Sequence, residues 1–260
     1  MTVTGFLGWL QLTMRIDVCL LYSRAGQHLE SPNELALAAV VRGFRYLKGT
    51  INLCLAAPRF RPDRDIHSTQ TLADQDEMDF YTDSDHAGNA ERQNKRRNQY
   101  GYVSGFREDE TSITPVDWHS KVTSCAFAHP DIGESHADMS SAAGEVYAAG
   151  NVACEIQQLS YISEELNIKF PRPVRLQMDN TAAEAFTNNT IIRTKLKHID
   201  VRQDWVRCLR DCNLLVPVHV PSAANLADFF TKILPAPTFI RLRDSMMKKL
   251  PDHLKFCPTA

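Results

Sequence analysis

The order of residue patterns predicts an α/β fold: a mixed five-stranded sheet flanked by helices and preceded by a small helical segment. Three strand-like runs follow one another, "MDFYTD" (78–83), "YGYVSGF" (100–106) and "PVDWHSK" (115–121), each rich in aromatic or β-branched residues. Beyond them helical and extended patterns alternate, with "VRLQMD" (174–179) and "LLVPVHV" (214–220) as the fourth and fifth strands. Consecutive strands followed by strands separated by helices imply a mixed sheet with helical cover. At 260 residues and 43% hydrophobic, the chain can bury a sizeable core in one or two domains.

Residues 1–57 read as the helical segment. The opening "TGFLGWLQLTMRIDVCLLYS" is apolar, and Arg15 and Asp17 interrupt it well short of the run of about 18 apolar residues that a membrane span needs. It is expected to be a core helix; no membrane association is expected. In "SPNELALAAVVRGFRYLKGT", Ser31 is placed to cap, Pro32 fits the first helical position and Glu34 lies three residues after the serine, as a capping box requires. Leu37, Val40, Phe44 and Leu47 recur at spacings of three and four, and Gly49 is placed to end the helix.

Residues 58–77, with scattered charge and no periodicity, read as a linker, and 78–247 as the sheet domain, followed by a tail over 248–260. Within the domain a long helix is expected from about Ser140 to Leu166, with Val146, Ala149, Ala153, Ile156, Leu159 and Ile162 on one side. Further helices are expected from Thr181 and Glu184, over "KLKHIDVRQDWVRCLRD", and from about Ala224. No internal repeat is visible.

A net charge of −2 provides no global basic field, so a nucleic-acid partner would have to bind a local patch. Seven cysteines without a CxxC pair fit a reduced, intracellular setting better than a disulfide framework. Cys208 and Cys212 are one helical turn apart, but no second ligand pair at metal spacing accompanies them.

Carboxylates recur where apolar elements end. Asp83 and Asp85 are two apart on an extended run and face the same way. Asp179 ends the strand before "NTAA", Glu145 opens the long helix, and Asp228 interrupts the apolar "NLADFFTKIL". A single such acid is ordinarily a turn or cap residue. Four or five gathered together repel unless cations sit between them, and hard oxygen donors suit Mg²⁺ or Mn²⁺. Two such ions roughly 4 Å apart activate water and stabilise a leaving oxygen, the arrangement of a phosphodiester-cleaving nuclease.

These motifs carry a resemblance. "YTDSDHAG", "SSAAGEVYAA", "QMDNTAA", "RTKLKHIDVRQDWVR" and "VPSAANLADFFTKIL" resemble, in order, the successive motifs of the ribonuclease H domain of copia-type retrotransposon polyproteins. "FLGWLQLTMRIDVCLLYSR" and "RGFRYLKGT" are similar to the segment that follows the polymerase palm in the same polyproteins. The resemblance implies a ribonuclease H-like fold, with 1–57 as a helical remnant of the reverse transcriptase that packs against the polymerase in the parent and exposes an apolar patch when alone. It implies Asp83, Glu145, Asp179 and Asp228 as catalytic residues holding two Mg²⁺ ions, or Mn²⁺, with Asp83 touching both ions. Asp85 and Asn180 would stand behind these ligands and support them.

The activity implied is hydrolysis of the RNA strand of an RNA/DNA hybrid, leaving a 3′-hydroxyl and a 5′-phosphate. Implied partners are the hybrid and the polymerase part of the polyprotein; the location within the cell, a cytoplasmic particle or the nucleus, stays open. Arg92, Lys95, Arg96 and Arg97 follow the first strand, and Arg193, Lys195, Lys197, His198 and Arg202 surround the later helix. These bases would supply sequence-independent phosphate contacts. Trp118 and Trp205 read as core residues rather than stacking platforms.

The chain departs from the family pattern in three places. "VTSCAFAHPDIGESHADM" is longer than the family's usual link, Ala143 replaces an acid, and "VPSAAN" lacks the mobile histidine of cellular ribonucleases H. Gly144 is expected to weaken the catalytic helix by up to about 1 kcal/mol relative to alanine. The alternative reading is a catalytically decayed, nucleic-acid-binding remnant, and another nuclease of the same fold is a third.

Overall fold

The computed structural model describes residues 2–55, 77–85, 98–122, 141–181 and 197–251. Helices α1 (Val3–Thr13), α2 (Cys19–Gly26) and α3 (Glu34–Gly49) precede a short strand β1 (Leu53–Leu55). Then come β2 (Met78–Asp85), β3 (Gln99–Arg107), β4 (Ile113–Val122), α4 (Ser141–Glu165), β5 (Val174–Met178), α5 (Lys197–Asp211) and β6 (Leu215–His219). The C-terminal segment holds α6 (Asp228–Thr231), α7 (Ala236–Asp244) and β7 (Met247–Lys249).

Strands β2 to β6 form one five-stranded sheet in the order β4-β3-β2-β5-β6, the mixed sheet that the sequence predicts. β2, β3 and β4 pair antiparallel, and β5 pairs parallel with both β2 and β6. On one face, Val146, Ala149, Ala153 and Ile156 of α4 are buried with Phe80, Leu176 and Met178, and Leu159 and Trp205 pack against them. Ile162, expected on the same side, is 42% exposed.

The other face is covered by chain from both ends. Ile16 and Cys19 share a core with Tyr81, Val103, Phe230 and Leu242, and Trp118 packs against it while its Nε1 donates to the Gln11 carbonyl at 2.7 Å. β1 pairs antiparallel with β7, Leu53 opposite Lys249. The helical segment and the sheet domain are therefore joined by a continuous apolar core and by a small second sheet.

Several local expectations are corrected. The opening apolar run is two helices rather than one, broken where Arg15 leaves helical geometry (φ −120, ψ 70). Its guanidinium grips buried Asp17 at 2.9 and 2.6 Å, and the Tyr46 hydroxyl donates to the same carboxylate at 2.7 Å. Two buried charges pair at the cost of the helix that would have separated them. The cap of α3 is Asn33, whose Oδ1 accepts from Ala36 N at 2.7 Å, so Ser31 and Pro32 lie before the helix and Glu34 is its first residue. Leu37, expected on the apolar face of α3, is 65% exposed, alongside exposed Leu35, Trp9 and Leu12.

The C-terminal helix expected from about Ala224 is three short pieces, a 3₁₀ turn at Ser222–Ala224 and then α6 and α7. Lys232 leaves helical geometry (ψ 144) just before Pro235, which cannot continue a helix. No described helix is long and apolar enough to cross a membrane. The segments 58–76, 123–139 and the helix around Glu184 lie outside the described residues.

Candidate active site

β2 is buried from Met78 to Ser84, so its terminal carboxylate is held in a covered strand and not on a loose turn. Parallel pairing sets Tyr81 opposite Gln177, which brings the ends of β2 and β5 side by side, residue 83 next to residue 179. Ligand sites in open α/β sheets form beyond the carboxyl ends of such strands.

Asp228 arrives from the C-terminal segment, and three contacts seat it. Asn225, fully buried, donates from Nδ2 to the Thr82 carbonyl at 3.1 Å and accepts from Ala227 N at 3.1 Å. Ser120 Oγ donates to the Phe230 carbonyl at 2.5 Å. Gly101, the cross-strand partner of Asp83, lets α6 approach closely: a Cβ there would lie 2.6 Å from Phe230 Cβ and 3.1 Å from Thr231 Cγ2. As a result, one carboxylate oxygen from each of Asp83, Asp179 and Asp228 lies within 4.8 Å of the others.

Glu145 reaches the same place from α4. Its Oε1 accepts from Ser84 N at 3.1 Å, while Oε2 is buried and unpartnered among the described residues. Gly144 makes this possible, since a Cβ at that position would fall 2.7 Å from Ser84 Oγ and 3.0 Å from Asn98 Nδ2. The glycine expected to loosen the site is what lets the helix sit tightly on β2. An open cleft is lined by Asp83, Ser84, Asp85, Glu145, Asp179, Asn180, Thr181 and Lys232.

The electrostatics follow from this crowding. Burial first, then the charges of Asp83 and Asp179, push the Glu145 carboxyl up to about 9, against the opposing pull of the Ser84 N–H. Burial and Asp83 raise Asp228 to about 6, against Lys232. Lys232 Nζ lies 3.1 Å from Asp83 Oδ1 and 2.6 Å from Asp228 Oδ1, and the Thr231 hydroxyl donates to the other Asp83 oxygen. The cleft's other polar groups are four carboxylates with the side chains of Ser84, Asn180 and Thr181, an oxygen-rich set that fits a hard divalent cation.

Asp85 and Asn180 line the cleft outside the three-acid cluster, and Asp85 lies 4.0 Å from Arg24 of α2. Lys197, His198 and Arg202 fall on α5, but their side chains lie outside the described residues, as do Arg92, Lys95, Arg96, Arg97, Arg193 and Lys195 altogether. Asn225, Thr231 and Lys232 escaped the sequence reading. Their signal is positional: they stand three before, three after and four after Asp228 in "NLADFFTK".

Comparison with known proteins adds relatives. No family model matches the chain. The retrovirus-related Pol polyprotein of transposon TNT 1-94 from Nicotiana tabacum is 26% identical over 238 residues, covering 92% of this chain. That of transposon RE1 from Arabidopsis thaliana is 26% identical over 237 residues, covering 91%. The chain is a relative of copia-type Pol polyproteins. It spans 15% of the length of the tobacco polyprotein and 14% of the Arabidopsis one. Among solved structures, the N-terminal ribonuclease H domain of a Mycobacterium tuberculosis protein, determined as a fusion with maltose-binding protein, aligns over 65% of this chain and 98% of that one. Its identity is 13% and the TM-score 0.40.

Proposed function

We propose that this part of a retrotransposon Pol polyprotein hydrolyses the RNA strand of RNA/DNA hybrids. The convergence of Asp83, Asp179 and Asp228 within 4.8 Å carries the reading, with the buried, unpartnered Oε2 of Glu145 beside them. These four residues would hold Mg²⁺ or Mn²⁺. When bound, two such ions lower the pKa of a water and stabilise the leaving oxygen of an in-line displacement.

The chain's own part is to keep the donors rigid. β2 and β5 fix Asp83 and Asp179 at adjacent strand ends, Asn225 anchors the turn that presents Asp228, and Ser84 N–H orients Glu145. Burial and the neighbouring acids favour the protonated form of Glu145, which would have to release that proton to ligate a divalent ion. The bases around 92–97 and 193–202 would hold the phosphates that these acids repel.

The test is cleavage of a hybrid with labelled RNA in Mg²⁺, comparing the wild type with Asp83→Asn. Cutting of RNA by the wild type and none by the variant is the expected result. Equal, negligible cutting by both would leave the decayed nucleic-acid-binding remnant, and cutting of duplex DNA in preference to hybrid would point to another nuclease of this fold.

A further inference from the structure

We infer that Lys232 is a resident counter-ion of the acid cluster, seated between Asp83 and Asp228 in the metal-free protein and expelled from it when a divalent cation binds. The inference rests on the reading of this cluster as a metal site and adds to it a step made by the protein.

The geometry makes the two cations mutually exclusive. The ammonium hydrogen-bonds Oδ1 of Asp83 and Oδ1 of Asp228, so an ion ligated by those oxygens would stand against a like charge a few ångströms away. A single positive charge also serves the cluster incompletely, since Glu145 Oε2 stays buried without a partner among the described residues. A divalent ion brings twice the charge and more coordination positions than an ammonium has hydrogens.

Lys232 is built to leave. Its side chain is 34% exposed while that of Asp83 is 2%, so the stem has a route to solvent that the acid lacks. An ammonium is a point charge on a flexible four-carbon chain, without the forked geometry that lets arginine grip a carboxylate at two atoms. It also sits one turn after Asp228, at the end of α6, where the backbone is already leaving helical geometry. Its seat in the cluster keeps buried carboxylates from facing one another uncompensated before metal arrives, and weakens metal binding by the same interaction.

The test uses the whole wild-type chain. Acylation by an N-hydroxysuccinimide ester is followed lysine by lysine with peptide mass spectrometry, in EDTA and in saturating Mg²⁺. Lys232 should react severalfold faster with Mg²⁺, while Lys121 and Lys169 do not change. In calorimetry, Lys232→Gln should bind Mn²⁺ about tenfold more tightly, equivalent to about 1.4 kcal/mol, and Asp83→Asn should not bind it.

If the wild type binds Mn²⁺ but Lys232 reactivity is unchanged or falls, the displacement is wrong and the metal site stands. If neither wild type nor Lys232→Gln binds Mn²⁺, both the displacement and the metal reading fail. The acylation readout needs no variant to fold.

Discussion

Asp79 and Asp83 lie four residues apart on one strand, point to the same side and are both almost completely buried, yet their surroundings differ in kind. Asp79 is gripped at both oxygens by two arginines, Arg107 at 3.0 and 2.9 Å and Arg175 at 2.8 and 2.8 Å. Asp83 has one flexible lysine and a threonine hydroxyl, and it faces Asp179, Asp228 and Glu145. Closed, forked pairs hold Asp79 and fasten β2 to its neighbours β3 and β5. At Asp83 the negative charge exceeds the local positive charge, and that surplus is what a divalent ion would use.

The largest expected effect separates the two acids by what each loses. Asp83→Asn should abolish hybrid cleavage and leave stability within about 1 kcal/mol, because it relieves repulsion as it gives up the lysine. Asp79→Asn leaves Arg175 without its carboxylate and Arg107 with Glu77, and urea unfolding should show a loss of about 3 kcal/mol, the lower end for a broken buried pair because both guanidinium groups reach solvent in part. A stable Asp79→Asn, or an unfolded Asp83→Asn, would erase the distinction.

A smaller effect is expected at the helix that completes the cluster. Gly144→Ala puts a methyl group 2.7 Å from Ser84 Oγ, and overpacking of this kind costs about 1–3 kcal/mol. Because α4 must retreat, cleavage should fall more than stability does, and a second change, Ser84→Ala, should restore part of both.

The last expectation is a pH slope. Glu145 has an ordinary value of 4.5 and is held at about 9 in the fold, so between those limits the folded chain binds a proton that the unfolded chain has released. Metal-free protein should therefore lose stability as pH rises through that window. Melting temperatures in EDTA from pH 5 to 9 should decline, and Glu145→Gln should flatten the decline. At the other end of the strand burial also raises the Asp79 carboxyl, but Arg175 pulls against it.

Much of the fold was legible because it is encoded locally. Alternation and β-branching marked all five strands of the main sheet within a few residues of their observed ends, and the spacing of Val146, Ala149, Ala153 and Ile156 marked the buried stripe of α4. The acids were legible because a carboxylate that ends an apolar strand is conspicuous. Other features were read wrongly for identifiable reasons. The cap of α3 moved from Ser31 to Asn33 because both residues can accept from the first turn, and sequence alone does not rank two good caps two residues apart. The break at Arg15 depends on a pair with Asp17 that Tyr46, from another helix, completes. Leu37 kept its place in the periodicity but found no cover among the described residues, since an apolar face specifies a partner without supplying one.

By itself the sequence determined the order and kind of the elements, the residue types able to hold a hard cation, and the kinship with retrotransposon polyproteins. Those properties are local or additive, and each is written within a few turns of chain. Only the tertiary structure decided that Gly101 and Gly144 admit α6 and α4 to the strand end, that Asp79 is spoken for and Asp83 is not, and that Lys232 stands in the cluster. Lys232 and Asp83 are 149 residues apart in the chain, and a contact of that span exists only once the sheet, the helix and the C-terminal turn have packed together.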